Sequence, residues 1–148
     1  MNPNWLDIAL REIDVAEFRG ADKHNSRIIE YHHTTDLKAT SDEVPWCSSY
    51  VNWCMQMALV PRTKSAAARS WLAWGVPMAR PATGAVAVLT RGTGPQPGPE
   101  VIDAPGHVGF YLGYAGLGRI LVLGGNQGDT VSIELYPITR VLGYLWPS

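Results

Sequence analysis

The chain has 148 residues, 46% of them hydrophobic and 17% charged, a balance that builds a packed core and excludes intrinsic disorder. A chain of this size is expected to form one domain over residues 1–148, burying on the order of 70% of its unfolded surface without disulfide support. Twelve Lys and Arg against thirteen Asp and Glu leave a net charge of −1, with no basic stripe, which argues against nucleic acid and anionic membranes as partners.

The first half reads as helices. Asn4 is placed to cap a helix that carries Leu6, Leu10, Ile13 and Glu17 at helical spacing and breaks at Gly20. A second helix starts after Asn25 or Ser26 and carries Ile28, Ile29 and Tyr31, and Thr34 to Glu43 is a polar loop. Pro45 suits the first turn of a third helix that runs to about Leu59, before Pro61. The stretch Val44–Pro61 carries no charge, but Ser48, Ser49, Asn52 and Gln56 make it too polar for lipid, so it is a buried helix rather than a membrane span. A fourth helix opens at Ser65, carries Trp71 and Leu72, and ends at Gly75. No basic stretch followed by an apolar run opens the chain, so the protein is expected to accumulate in the cytoplasm of the producing cell.

The second half changes period. Ala85–Leu89, Val108–Tyr114, Ile120–Leu123, Val131–Tyr136 and Val141–Leu145 read as strands, rich in β-branched and aromatic residues. Short Gly-containing turns between the later ones imply antiparallel neighbours. Arg91–Gly106, half of it Gly or Pro, is a long loop. The expected fold class is therefore α+β: N-terminal helices packed on a C-terminal antiparallel β-sheet meander.

Three positions carry chemistry. Cys47 falls in the first turn of the uncharged helix, where the partial positive charge of the helix N-terminus stabilises a thiolate. Cys54 lies two turns along the same helix, about 10.5 Å away, beyond the ~7 Å a disulfide bridges, so both are expected to be free thiols. On a helical wheel Cys47, Val51, Cys54 and Ala58 share one face and Ser48, Asn52 and Gln56 another. His107 opens a strand after the Gly/Pro-rich loop, between Gly106 and Gly109, well placed as a general base. Gly124-Gly-Asn-Gln127 closes the next strand, and antiparallel pairing brings that end to the edge bearing His107. An amide there would hold the imidazole in the tautomer that faces a thiol; Asn126 is the first choice and Gln127 the alternative. Trp46 and Trp74 are candidates for the walls of a substrate groove between the Cys47 helix and this sheet edge.

Taken together, Pro45-Trp-Cys-Ser-Ser-Tyr-Val-Asn-Trp53, Ala67-Ala-Arg-Ser-Trp71, Gly106-His-Val-Gly-Phe110 and Val122-Leu-Gly-Gly-Asn-Gln127 resemble the CHAP-related, NlpC-like cysteine peptidoglycan hydrolases, especially the small single-domain ones of phages and prophages. The resemblance implies a papain-like fold with Cys47, His107 and Asn126 as nucleophile, base and third residue. It implies cleavage of an amide bond of the bacterial cell-wall peptide in the manner of a phage endolysin, acting on the wall in the periplasm after release from the cytoplasm. Related chains usually carry Gly-Asp where this one has Gly84-Ala85, a change expected to affect a turn rather than chemistry. A non-catalytic peptidoglycan-binding module and a delivered antibacterial amidase toxin are the alternatives.

No metal or other cofactor is expected. His24, His32, His33 and Asp36 lack zinc-ligand spacing, and Asp36, Asp42 and Glu43 lack the regular acidic spacing of a calcium loop. The expected partner is peptidoglycan alone, bound by a monomer without membrane insertion.

Overall fold

The computed structural model describes residues 1–20 and 23–148. Three α-helices, α1 (Asn4–Leu10), α2 (Ser26–His32) and α3 (Cys47–Met57), and a 3-10 turn at Ala68–Ala73 precede most of the sheet. The strands are β1 (Val76–Pro77), β2 (Val86–Thr90), β3 (Gly106–Gly116), β4 (Arg119–Gln127), β5 (Thr130–Pro137) and β6 (Val141–Trp146). They form one antiparallel sheet in the order β1-β6-β2-β3-β4-β5. Strands β2 to β5 are the expected meander. A 3-10 turn, Ile138–Arg140, then returns the chain so that β6 pairs with β2 rather than β5. The sheet is curled enough for this short return: Tyr136, near the end of β5, stacks 5.5 Å from His107 at the start of β3.

Helix α3 is the hub. It packs on β3 and β4, and α1 and α2 pack on α3. Every residue from Cys47 to Met55 is buried, so Ser48 and Asn52 of the polar face expected on the wheel are internal too, while Gln56 is exposed. Its polar groups are satisfied: Ser48 Oγ donates to the Ser65 carbonyl at 2.7 Å, and the Lys64 N–H donates to Asn52 Oδ1 at 2.8 Å. These bonds hold residues 63–65 against the helix, because a buried hydroxyl or amide without a partner costs about 1–3 kcal/mol. Tyr31 fills the space between α2 and α3, with ring centroids 5.4 Å from Tyr50, 5.3 Å from Trp53 and 5.9 Å from Trp46. Each such pair contributes about 0.5–1.5 kcal/mol beyond simple burial.

Two helices differ from the sequence expectation. The first ends at Leu10 rather than Gly20, and its N-cap is Pro3 rather than Asn4. Residues 14–17 pair with the start of β5 instead: the Asp14 N–H donates to the Val131 carbonyl at 3.0 Å, and the Val131 N–H donates to Val15 at 2.8 Å. A long-range strand-like pairing has overridden a helical pattern with no stop signal before Gly20. The fourth helix is a 3-10 turn of six residues rather than an α-helix.

Three of the residues considered as metal ligands, His24, His32 and Asp42, are used internally. The buried Asp42 carboxylate accepts from the backbone N–H groups of Phe18 and Asn25, each at 2.9 Å, and faces His24 Nδ1 at 3.4 Å. Burial alone would raise its pKa, but these donors hold it below the usual carboxylate value. His32 Nδ1 meets Ser49 Oγ at 3.0 Å. Among the described residues no three His, Cys, Asp or Glu side chains are grouped to hold a metal ion, and no helix is long and apolar enough to cross a membrane.

The 91–106 loop is tied down by one buried side chain. Arg69 donates through Nε to the Pro105 carbonyl at 3.0 Å, and through Nη1 to Pro97 at 3.1 Å and Gly98 at 2.8 Å. Arg69→Met keeps the aliphatic stem and removes these donors. It should lower stability by about 3 kcal/mol in urea unfolding and speed proteolytic cleavage within 91–105; unchanged stability and cleavage would show that the loop is held by other means.

Candidate active site

Helix α3 begins at Cys47, with Trp46 as its N-cap residue, so the Cys47 N–H belongs to the first turn and has no partner within the helix. What brings this end of α3 to the sheet is the absence of a side chain. A Cβ on Gly125 would lie 2.7 Å from the Trp46 ring and 2.8 Å from Tyr50 Cβ, so the helix start rests directly on the β4 backbone. Trp46 is thereby fully buried beneath β4, its Nε1–H donating to Glu17 Oε2 at 2.9 Å. It is a packing residue and not the groove wall expected from sequence. Trp74 is not a wall either: it donates to the Pro61 carbonyl at 2.9 Å and packs edge-on against Trp71.

The structure places Cys47 and His107 beside each other. The thiol is 4% exposed and the imidazole 7%. Burial pushes the Cys47 thiol up, but the hydrogen bond and charge of His107 oppose it. With the Val108 N–H and the charge of Arg91 they hold its pKa below the ordinary thiol value. Cys54 shows what burial does without such help: its pKa is pushed well above the ordinary value, and it is an unpaired core thiol.

The amide that meets the imidazole in the structure is that of Gln127, the alternative choice, rather than that of Asn126. His107 Nε2 lies 2.8 Å from Gln127 Oε1. The amide cannot be turned the other way round, because its Nε2 donates to the Ser132 carbonyl at 2.7 Å and the Val122 carbonyl at 3.3 Å. The Tyr136 hydroxyl donates to the same Oε1 at 3.1 Å, and burial pushes its pKa up to about 12, so it remains a donor. An acceptor oxygen at Nε2 requires that nitrogen to carry the proton, which leaves Nδ1 for the thiol.

The exchange of Asn126 for Gln127 has a simple cause. In an unbroken strand residues 124 and 126 share a face. Here Gly124 pairs with Ser132 and Gln127 with Thr130, so β4 spends one residue more than β5 between the two pairs. Asn126, at φ 57, is in the left-handed conformation within that bulge, and Gln127 takes the face toward His107. Gly124 completes the arrangement, since a Cβ there would stand 2.6 Å from Gln127 Oε1 and 3.2 Å from His107 Nε2. Tyr136 and Ser132 were not singled out in the sequence, and Gly124 only as the start of Gly124-Gly-Asn-Gln127. A glycine pair before an amide is their only local trace.

Two depressions meet at this pair. One of about 250 Å³ is lined by His107, Asn126, Gln127, Tyr136, Arg91 and Arg140. The other, about 210 Å³, is lined by Cys47, Ala66–Ala68, Arg91 and the end of the 91–106 loop. A larger depression of about 420 Å³, with Glu17, Glu43 and Asp129 in its walls, adjoins the first at Gly128 and contains neither Cys47 nor His107.

Residues 39–126 match the family model of the CHAP domain, over half the chain. The protein belongs to the CHAP domain family. Neither the curated proteins nor the solved structures include a match. The α+β architecture, with few helices on a six-stranded antiparallel sheet, is the papain-like fold of that family. CHAP domains are generally cysteine-dependent amidases or peptidases acting on peptidoglycan. The matched segment includes Cys47 and His107 and stops one residue short of Gln127.

If Gln127 fixes the imidazole, Gln127→Ala should lower kcat on cell-wall substrate by about tenfold or more, while Asn126→Ala should cost less. The reverse order, measured on folded variants, would return the third position to Asn126.

Proposed function

We propose that this CHAP domain is a thiol hydrolase that cuts an amide bond of the cell-wall peptide, with Cys47 as nucleophile, His107 as acid–base and Gln127 as the group that positions the imidazole. The observation that carries the reading is the buried group of Cys47, His107 and Gln127, in which His107 holds the thiol pKa down and its Nε2 lies 2.8 Å from Gln127 Oε1. The group begins at a helix N-terminus and ends in an amide whose orientation is fixed by two carbonyls.

In the proposed reaction the Cys47 thiolate attacks the amide carbonyl carbon, and negative charge moves to the carbonyl oxygen. The Cys47 N–H, free at the start of α3, faces that developing charge. As the C–N bond breaks, His107 passes the proton it took from the thiol to the leaving amine, and a thioester remains. Water then attacks the thioester, His107 takes its proton, and the carboxylic acid and free thiol are released. Gln127 keeps the Nε2–H donor in place throughout, so that Nδ1 is the nitrogen that exchanges the proton with sulfur.

The biological setting we propose is bacterial lysis of the phage type, in which the enzyme is made in the cytoplasm and reaches the wall after release. The motif series Trp46-Cys47, Gly106-His107-Val108-Gly109-Phe110 and Gly124-Gly125-Asn126-Gln127 supports it by resemblance.

Purified Gram-negative sacculi incubated with the wild type should release peptide fragments detectable by mass spectrometry, and folded Cys47→Ala should release none. Fragments from both proteins would overturn the thiol mechanism. Binding of both to sacculi with no release from either would replace the hydrolase with a binding module.

A further inference from the structure

The two depressions beside the catalytic pair differ in chemistry, and the difference defines the residues on either side of the bond that is cut. The leaving amine must receive its proton from His107, so the amine-side residue lies in the depression lined by His107, and the acyl-side residue lies in the one lined by Cys47. Resting on the thiol-hydrolase reading, we infer that the scissile bond joins an uncharged, alanine-sized acyl residue to an amine that carries a free carboxylate close to its nitrogen.

The amine side is cationic. Arg91 and Arg140 both line it, and none of the residues that line it is acidic. Neither guanidinium is in a salt bridge among the described residues. Arg140 is pre-set: one nitrogen donates to the Thr90 carbonyl at 2.6 Å, and the guanidinium stacks 5.1 Å from the Tyr136 ring centroid. Its other N–H donors remain for an incoming group, and a planar guanidinium fork matches a carboxylate. Arg91 lines both depressions, which puts its charge beside the scissile bond, where a carboxylate on the carbon next to the amine nitrogen would sit.

The acyl side is lined mainly by small side chains, and the charge of Arg91 there is opposed by that of Asp103. Ala66, Ala67, Ala68 and Ala104 line it, which suits a methyl side chain, and Asp103 in the same wall opposes a second carboxylate there. In wall peptides two amide types have this pattern: an alanyl bond to glutamate linked through its side chain, and an alanyl cross-link to a diamino acid. Both leave an α-carboxylate free beside the amine. The amide between the sugar's lactyl group and the first alanine does not, because that alanine's carboxyl is consumed in the next peptide bond. Hydrolysis gives an alanyl carboxylate and a free amine, with water supplying the hydroxyl to the acyl carbon and a proton to the nitrogen.

The experiment is a digest of intact sacculi with the full-length protein, followed by mass-spectrometric identification of the new amine end. The expected product has a free amine on side-chain-linked glutamate or on the cross-linking diamino acid, and the digest tells these two apart. A peptide containing that bond is then compared with its α-carboxamide. Wild type should favour the free carboxylate by about tenfold or more in kcat/KM, and Arg91→Gln and Arg140→Gln should each reduce that ratio. A general loss of structure would lower both rates together and leave the ratio intact. A new amine on the first alanine, an equal rate on the two peptides, or an unchanged ratio in both variants overturns this inference. In those cases Cys47-dependent cleavage would leave the hydrolase reading standing, whereas no cleavage of sacculi by any form overturns both.

Discussion

The orientation of one imidazole governs the rest of this site. His107 meets a buried thiol on one side and the Gln127 amide on the other, and only one tautomer satisfies both. The amide is itself fixed, because the Val122 and Ser132 carbonyls take its N–H groups and the Tyr136 hydroxyl points at its oxygen. Two of these partners are backbone groups of the β4–β5 ladder, and Tyr136 is brought over by the curl of the sheet. A proton on the outer nitrogen is thus a consequence of strand geometry. Burial of the pair away from water makes each of these hydrogen bonds count for more than it would in bulk solvent.

The thiol is placed by packing as tightly as the imidazole is by hydrogen bonding. The bare backbone of Gly125 lets Trp46 lie flat beneath β4, and the Trp46 indole is anchored on Glu17. The first turn of α3 follows immediately, with Ser48 and Asn52 fastening residues 63–65 alongside. The same contacts carry Ala66–Ala68 to the edge of the site, while Arg69 pins the 91–106 loop opposite. The helix that carries Cys47 and the walls of the depressions beside it are therefore parts of one packed unit.

Much of this was legible in the sequence because its cause is local. A proline and an uncharged run mark the start of α3, and β-branched runs mark the strands, so Cys47 and His107 could be placed at a helix start and a strand start. The choice of Asn126 failed because a bulge shifts the alternation by one residue, and bulges depend on pairing with β5, which alternation within β4 does not reveal. The same is true of the first helix, shortened where residues 14–17 join Val131, and of β6, which crosses back to β2. Trp46 and Trp74 look alike as exposed aromatic candidates in sequence. Their burial is decided by Gly125 in one case and by Trp71 and Pro61 in the other.

The central claim is that His107 makes Cys47 a thiolate despite its burial. The most direct test is the rate of iodoacetamide alkylation of Cys47 against pH, read by mass spectrometry so that Cys54, held protonated in the core, is scored separately. Wild type should react with a midpoint below that of an ordinary thiol. In His107→Ala the hydrogen bond and charge of His107 are removed while burial, the Val108 N–H and Arg91 remain, so the midpoint should move up from that of the wild type. The same midpoint in both proteins would contradict the account.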